Sequence, residues 1–325
     1  MKNVTKANVI FTSIILVYMI MFFSLRLFNG MGMSYNLLLV VPEIVLAISA
    51  IVATLLIKSN AIKDAGYGMV SIGTLLKSFI LAFLCLPLIM VINALSSMIN
   101  GNAVSSSMDV ITRNPMWLSL ILVALVPALV EEFIFRGILF GTYKKRNPMR
   151  AVFLSAFLFG LMHMNINQFA YAFVIGIILA LLAYATGSIW AGVIVHFTIN
   201  ASSIVLSYLT GSLSANEGTQ LQSSTSAEVA SATTNIDSTT AAIIGILAII
   251  VIVASATALA VSLFINIANK NRGMKSVVNI FRRPIRCNYA DEGKFFDGFL
   301  ILGITICVCF ITYFDIINGL LVRLG

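Results

Sequence analysis

The chain has 325 residues, of which 60% are apolar and only 10% charged, with a mean hydropathy of +1.03. A soluble domain carries about 25% charge, so this set is too sparse to clothe a water-soluble core of such size, and the solvent for most of the surface is lipid. The net charge of +8 does not point to nucleic acid, because the basic residues fall in short runs between apolar segments rather than in a patch interleaved with aromatics.

A spanning helix needs about 20 predominantly apolar residues. In chain order such segments run roughly 8–28, 37–57, 78–98, 116–142, 151–165, 168–186, 189–209, 240–266 and 296–320. The expected fold is therefore all-α, a polytopic transmembrane bundle of about nine helices. The first segment lacks a small-residue cleavage site after it and reads as a retained helix rather than a signal peptide. The fifth is short, reaching about 22 Å at 1.5 Å per residue. It is expected to tilt little or to stop inside the protein, with Asn165, Asn167 and Gln168 lining a cavity.

With the N-terminus in the cytoplasm, 16 of the 20 Lys and Arg residues fall on the cytoplasmic side. The positive-inside rule selects that orientation over its inverse. The four cysteines, Cys85, Cys287, Cys307 and Cys309, form no metal-like pair and no disulfide framework. The stretch 210–239 is rich in Ser, Thr, Ala and Gln and contains no Lys or Arg, which suits an external linker with no core of its own. The expected organisation is N-terminal helices over 1–115, a polar-bearing core over 116–209, the linker, and two C-terminal helices over 240–325 joined by a basic cytoplasmic loop.

Ionisable groups at membrane depth are costly and mark functional positions. Here they are Glu43, Glu131, Glu132, Arg136, His163, His196 and Asp315, and the chain's two histidines are both among them. Residues four apart on a helix share a face, so Glu132 and Arg136 are expected to pair. Glu131 sits about 100° round the helix from Glu132 and is left to face a cavity. Glu131 precedes the cytoplasmic run at Lys144 by as many residues as His163 follows Arg150, which puts both about 20 Å deep on antiparallel helices. His196 and Asn200 share a face of the seventh segment at similar depth. Glu43 follows Pro42 without an evident basic partner and reads as cavity-lining or capping. Asp315 lies near an external helix end, and Phe159 reads first as packing.

Two histidines and a glutamate are also an acceptable zinc set, although the HExxH arrangement is absent. The pattern Glu131-Glu132-x-x-x-Arg136, Phe159-x-x-x-His163 and His196-x-x-x-Asn200, in order on three separate segments, resembles the three motifs of the CAAX-protease and bacteriocin-processing (CPBP, or Abi) family of intramembrane proteases. The resemblance covers about 116–205. It implies that Glu131 and His163 activate the attacking water, that His196 and Asn200 stabilise the oxyanion, and that Glu132, Arg136 and Phe159 support them. If a divalent metal such as zinc takes part, Glu131, His163 and His196 are its expected ligands.

The expected activity is endoproteolysis of a membrane-associated peptide or protein, such as a bacteriocin or pheromone precursor, in a bacterial cytoplasmic membrane. The expected partners are lipid and that peptide substrate, with no nucleic acid. The rival readings are a proton-coupled transporter and a catalytically silent scaffolding or self-immunity protein.

Overall fold

The computed structural model describes residues 2–27, 35–58, 66–100, 114–216, 238–282 and 293–313. Among these there is no strand, and the helices are α1 (Asn3–Leu27), α2 (Tyr35–Leu56), α3 (Ile72–Asn100), α4 (Met116–Arg146), α5 (Pro148–Met162), α6 (Ile166–Thr186), α7 (Trp190–Asn216), α8 (Ser238–Lys270), α9 (Met274–Arg282) and α10 (Gly298–Ile311). Six of them are long and apolar enough to cross a membrane: α1, α3, α4, α6, α7 and α8. Apolar stretches of α2, α5 and α10 are shorter. The chain is a multi-pass membrane protein with an all-helical bundle, and its helices follow the nine apolar segments closely.

Two boundaries differ from the sequence reading. Helix α7 runs on to Asn216, into the stretch assigned to the linker. Residues 217–237 lie outside the described residues, as does Asp315. The basic stretch after α8 is not loop throughout. Its residues Met274–Arg282 form the amphipathic helix α9, with Val277 and Ile280 buried beside Ala185 and Ala268 and with charge on the other face.

Helices α5, α6 and α7 are joined by short, capped turns that fix their registry. Asn147 caps α5 by accepting from the Arg150 amide at 2.9 Å, with Pro148 at the first helical position. Asn165 caps α6 by accepting from the Gln168 amide at 3.0 Å. Gly187 ends α6 at φ 73°, a left-handed conformation that glycine adopts without a Cβ penalty. Against this core, α1 is tied by buried polar side chains. The Tyr143 hydroxyl of α4 donates to Asn8 Oδ1 at 2.7 Å, and Asn8 Nδ2 donates to the Phe295 carbonyl at 3.0 Å. In lipid, where helix association gains little from the hydrophobic effect, such bonds and close packing hold neighbours together.

Helix α4 is irregular. Wider i→i+5 turns occupy Leu120–Leu125 and Phe133–Phe140, on either side of the regular stretch Val126–Glu132. Such bulges rotate the residues that follow and recur at functional sites. The pair Glu131-Glu132 stands at the end of the regular stretch, immediately before the second bulge.

Candidate active site

Glu132 and Arg136 are buried completely, and Arg136 Nη1 donates to Glu132 Oε1 at 2.7 Å. The i,i+4 spacing on α4 makes the pair, and pairing lets both charges lie at membrane depth. Arg136 Nη2 also reaches the Gly176 carbonyl of α6 at 3.4 Å. That approach depends on Gly176, where a Cβ would lie 2.9 Å from Ala156 Cα of α5.

Glu132 does more than neutralise Arg136. His196 Nδ1 of α7 lies 3.2 Å from the same Oε1, while its Nε2 lies 3.8 Å from Glu131 Oε2. A carboxylate accepts and does not donate, so the hydrogen of that contact is on Nδ1, and Nε2 is turned to Glu131. The sequence reading gave Glu132 only its partner on the same helix. The second contact crosses between helices, which spacing along one chain segment cannot reveal. It requires Gly192, one turn before His196, where a Cβ would sit 2.7 Å from Glu132 Oε2.

His163 is the C-cap of α5 rather than a residue within it: the helix ends at Met162, and Met164 takes a left-handed φ of 52°. That conformation is uncommon for a residue with a side chain, and it lies between the end of α5 and the start of α6 at Ile166. His163 Nδ1 donates to the Phe159 carbonyl at 2.9 Å, since that oxygen can only accept. The Nε2 lone pair is thereby left for the cavity. The fifteen residues from Pro148 to Met162 put His163 about 22 Å along α5, and Glu131 lies a matching distance back from Arg146 on α4.

Phe159 stands among these groups. Its ring meets His163 edge-on with centroids 5.1 Å apart, His196 at 5.7 Å and Phe135 at 5.2 Å, and the Arg136 guanidinium lies 4.2 Å over its face. Cation and ring quadrupole attract in that geometry. Phe159 is thus packing, as its sequence suggested, but packing that spaces both imidazoles.

Asn200 is held by a fault in α4. Pro127 has no N–H to give the Val123 carbonyl four residues back, and the Asn200 Nδ2 of α7 lies 3.5 Å from that oxygen. The contact is long and weak, yet it uses one of the two amide hydrogens and leaves the other.

Glu131, His163, His196 and Asn200 all line one cavity of about 340 Å³ between α2, α3, α4, α6 and α7. Glu43, Asn93, Gln168, Tyr171 and Ser203 complete its polar lining. Of the polar run after α5, Gln168 reaches the cavity, whereas Asn165 is spent on the α6 cap and Asn167 is buried elsewhere. Asn93, Tyr171 and Ser203 carried no signal in the sequence, because neutral polar residues in apolar helices usually hydrogen-bond locally.

Zinc ligands sit about 2 Å from the ion, so three of them must gather within roughly 4 Å of one another. Glu131 and His196 meet that condition, but no set of three His, Cys, Asp or Glu side chains gathers so among the described residues. The expected trio of Glu131, His163 and His196 does not, as placed, fit a metal centre. No step proposed below passes through one.

Comparison with known proteins bears on this constellation. Residues 113–202 match the family described as type II CAAX prenyl endopeptidase Rce1-like. A Bacillus subtilis (strain 168) protein named "Putative membrane peptidase YdiL" is 31% identical over 100 residues, which are 30% of this chain. The match spans only about 40% of that relative's length. No solved structure matches the chain. The matched segment holds Glu131, Glu132, Arg136, Phe159, His163, His196 and Asn200 together, so the similarity to the CAAX prenyl endopeptidases lies in the part of the chain that carries the site.

Proposed function

We propose that the chain is an intramembrane endopeptidase acting on a membrane-associated peptide or protein. The observation that carries this reading is the convergence of a carboxylate, two imidazoles and an amide from three helices on one cavity at matched depth, with Glu131 and His196 3.8 Å apart. Ionisable groups so placed in lipid have a task.

In the proposed reaction a water lies between the Glu131 carboxylate and His163 Nε2. Glu131 takes a proton as the water oxygen attacks the scissile carbonyl carbon. The carbonyl π electrons pass to oxygen, and that oxyanion accepts from the free Asn200 amide hydrogen. In its doubly protonated form His196 donates from Nδ1 to Glu132 and from Nε2 to the same oxyanion. Collapse of the tetrahedral intermediate breaks the C–N bond, and the proton held by Glu131 passes to the leaving nitrogen. Glu132, Arg136 and Phe159 touch no reacting atom in this scheme; they position His196 and His163. Leu86, Ile89 and Ile199 contribute apolar walls to the cavity, and a low local dielectric strengthens polar interactions of this kind.

The test is cleavage of candidate membrane peptides by the purified protein and by Glu131→Ala, with parallel reactions in chelator and after metal add-back. Equal cleavage by both proteins would remove the proposal. Loss in chelator with rescue by zinc would replace the metal-free scheme with a metal-assisted one.

A further inference from the structure

The cavity has a wall that the matched segment does not supply. Glu43 enters from α2 and Asn93 from α3, both outside residues 113–202. Three buried polar atoms of the cavity-lining residues lack a hydrogen-bond partner: Glu43 Oε2, Asn93 Oδ1 and Glu131 Oε2. All three are acceptors. No Lys or Arg side chain lines the cavity among the described residues, since Arg136 is shut away against Glu132. Glu43 and Glu131 line the same cavity. A buried carboxylate left unpaired is costly, and adding a second carboxylate opposite it makes the deficit larger. A cation rich in N–H donors would complement this wall.

We propose that Glu43 and Asn93, which line the same cavity, receive a Lys or Arg side chain of the substrate close to the scissile bond and so determine specificity. The proposal rests on the peptidase reading for its substrate class, but the site is defined by its own groups. An ammonium offers three donors and a guanidinium five, enough to satisfy Glu43 Oε2 and Asn93 Oδ1 at once. Glu131 remains for the water.

Binding and cleavage separate this proposal from the reading it rests on. In the inactive Glu131→Ala background, an amphipathic peptide with one central Lys is compared with its Lys→Gln counterpart by fluorescence anisotropy in neutral detergent. The Lys peptide should bind about tenfold tighter, as expected for a charge-assisted hydrogen bond. Adding Glu43→Gln should erase the preference, and Glu43→Asp should keep part of it. Equal binding of the two peptides, or a preference that survives Glu43→Gln, overturns the proposal.

In the second arm, the otherwise wild-type protein and the Glu43→Gln variant are given a proteome-derived peptide library. Cleaved bonds should show Lys or Arg enriched at one fixed position, with the enrichment lost in Glu43→Gln. Glu131-dependent cleavage without that enrichment overturns the cation pocket and leaves the peptidase standing. A Glu43-dependent binding preference with no Glu131-dependent cleavage supports the pocket and removes the peptidase.

Discussion

Helices α6 and α8 are both apolar enough to span a membrane, yet they do opposite things. In its most apolar stretch α6 buries 44% of its residues, wedged between α5, α3 and α7, whereas the corresponding stretch of α8 buries none. Helix α8 goes under only near its end, at Ile267 and Ala268. In water the exposed isoleucines of α8 would be a liability, but in lipid they are simply the outer surface. Apolar composition therefore sorts this chain into spans without saying which span matters. The sorting by importance comes from polar side chains and from the small residues that let them meet.

The comparison can be broken most sharply at Glu131. Glu131→Ala should lower peptide cleavage by about 10³-fold or more, since it removes the proposed general base, while the thermal unfolding of the purified protein changes little. Asn200→Ala should cost about 10²-fold in turnover with substrate affinity retained, the usual effect of losing one oxyanion donor; a change in KM alone would argue against that role. Gly192→Ala places a Cβ 2.7 Å from Glu132 Oε2, on a buried carboxylate whose other oxygen, Oε1, is held by both Arg136 and His196. It should destabilise the protein by about 1–3 kcal/mol and reduce cleavage, read as a lower melting temperature beside a slower turnover. At the other extreme, Ile249→Ala on the lipid face of α8, where Ile249 is 51% exposed, should change stability by no more than about 0.5 kcal/mol and leave cleavage intact. An α8 substitution with the effect of Gly192→Ala would end the distinction drawn here.

Much of the bundle was legible because its physics is one-dimensional. Span length, basic loops and the i,i+4 pairing of Glu132 with Arg136 depend on neighbours in sequence. The matched depth of Glu131 and His163 could also be counted along two antiparallel helices, and both side chains line the same cavity. What stayed hidden involves contacts between helices. The His196 bond to Glu132 could not be read from spacing, and neither could the cradle at Gly192 or the placing of Asn93 and Tyr171. The end of α5 at Met162 was concealed for another reason: Met164 holds a left-handed turn without the glycine that ordinarily announces one. Helix α9 was missed because the basic residues in and around it dominated a reading based on topology, while Val277 and Ile280 on one face went uncounted.

The proline in α4 has a consequence for how such a protein can be improved. Pro127→Ala would give the Val123 carbonyl back a donor within its own helix, a change that would normally be counted as a repair. The Asn200 amide would then share that oxygen with a backbone donor, and its already long contact would weaken. Heat resistance and turnover would move in opposite directions from a single substitution, so selection for hardier variants would tend to discard the feature that keeps the amide in place.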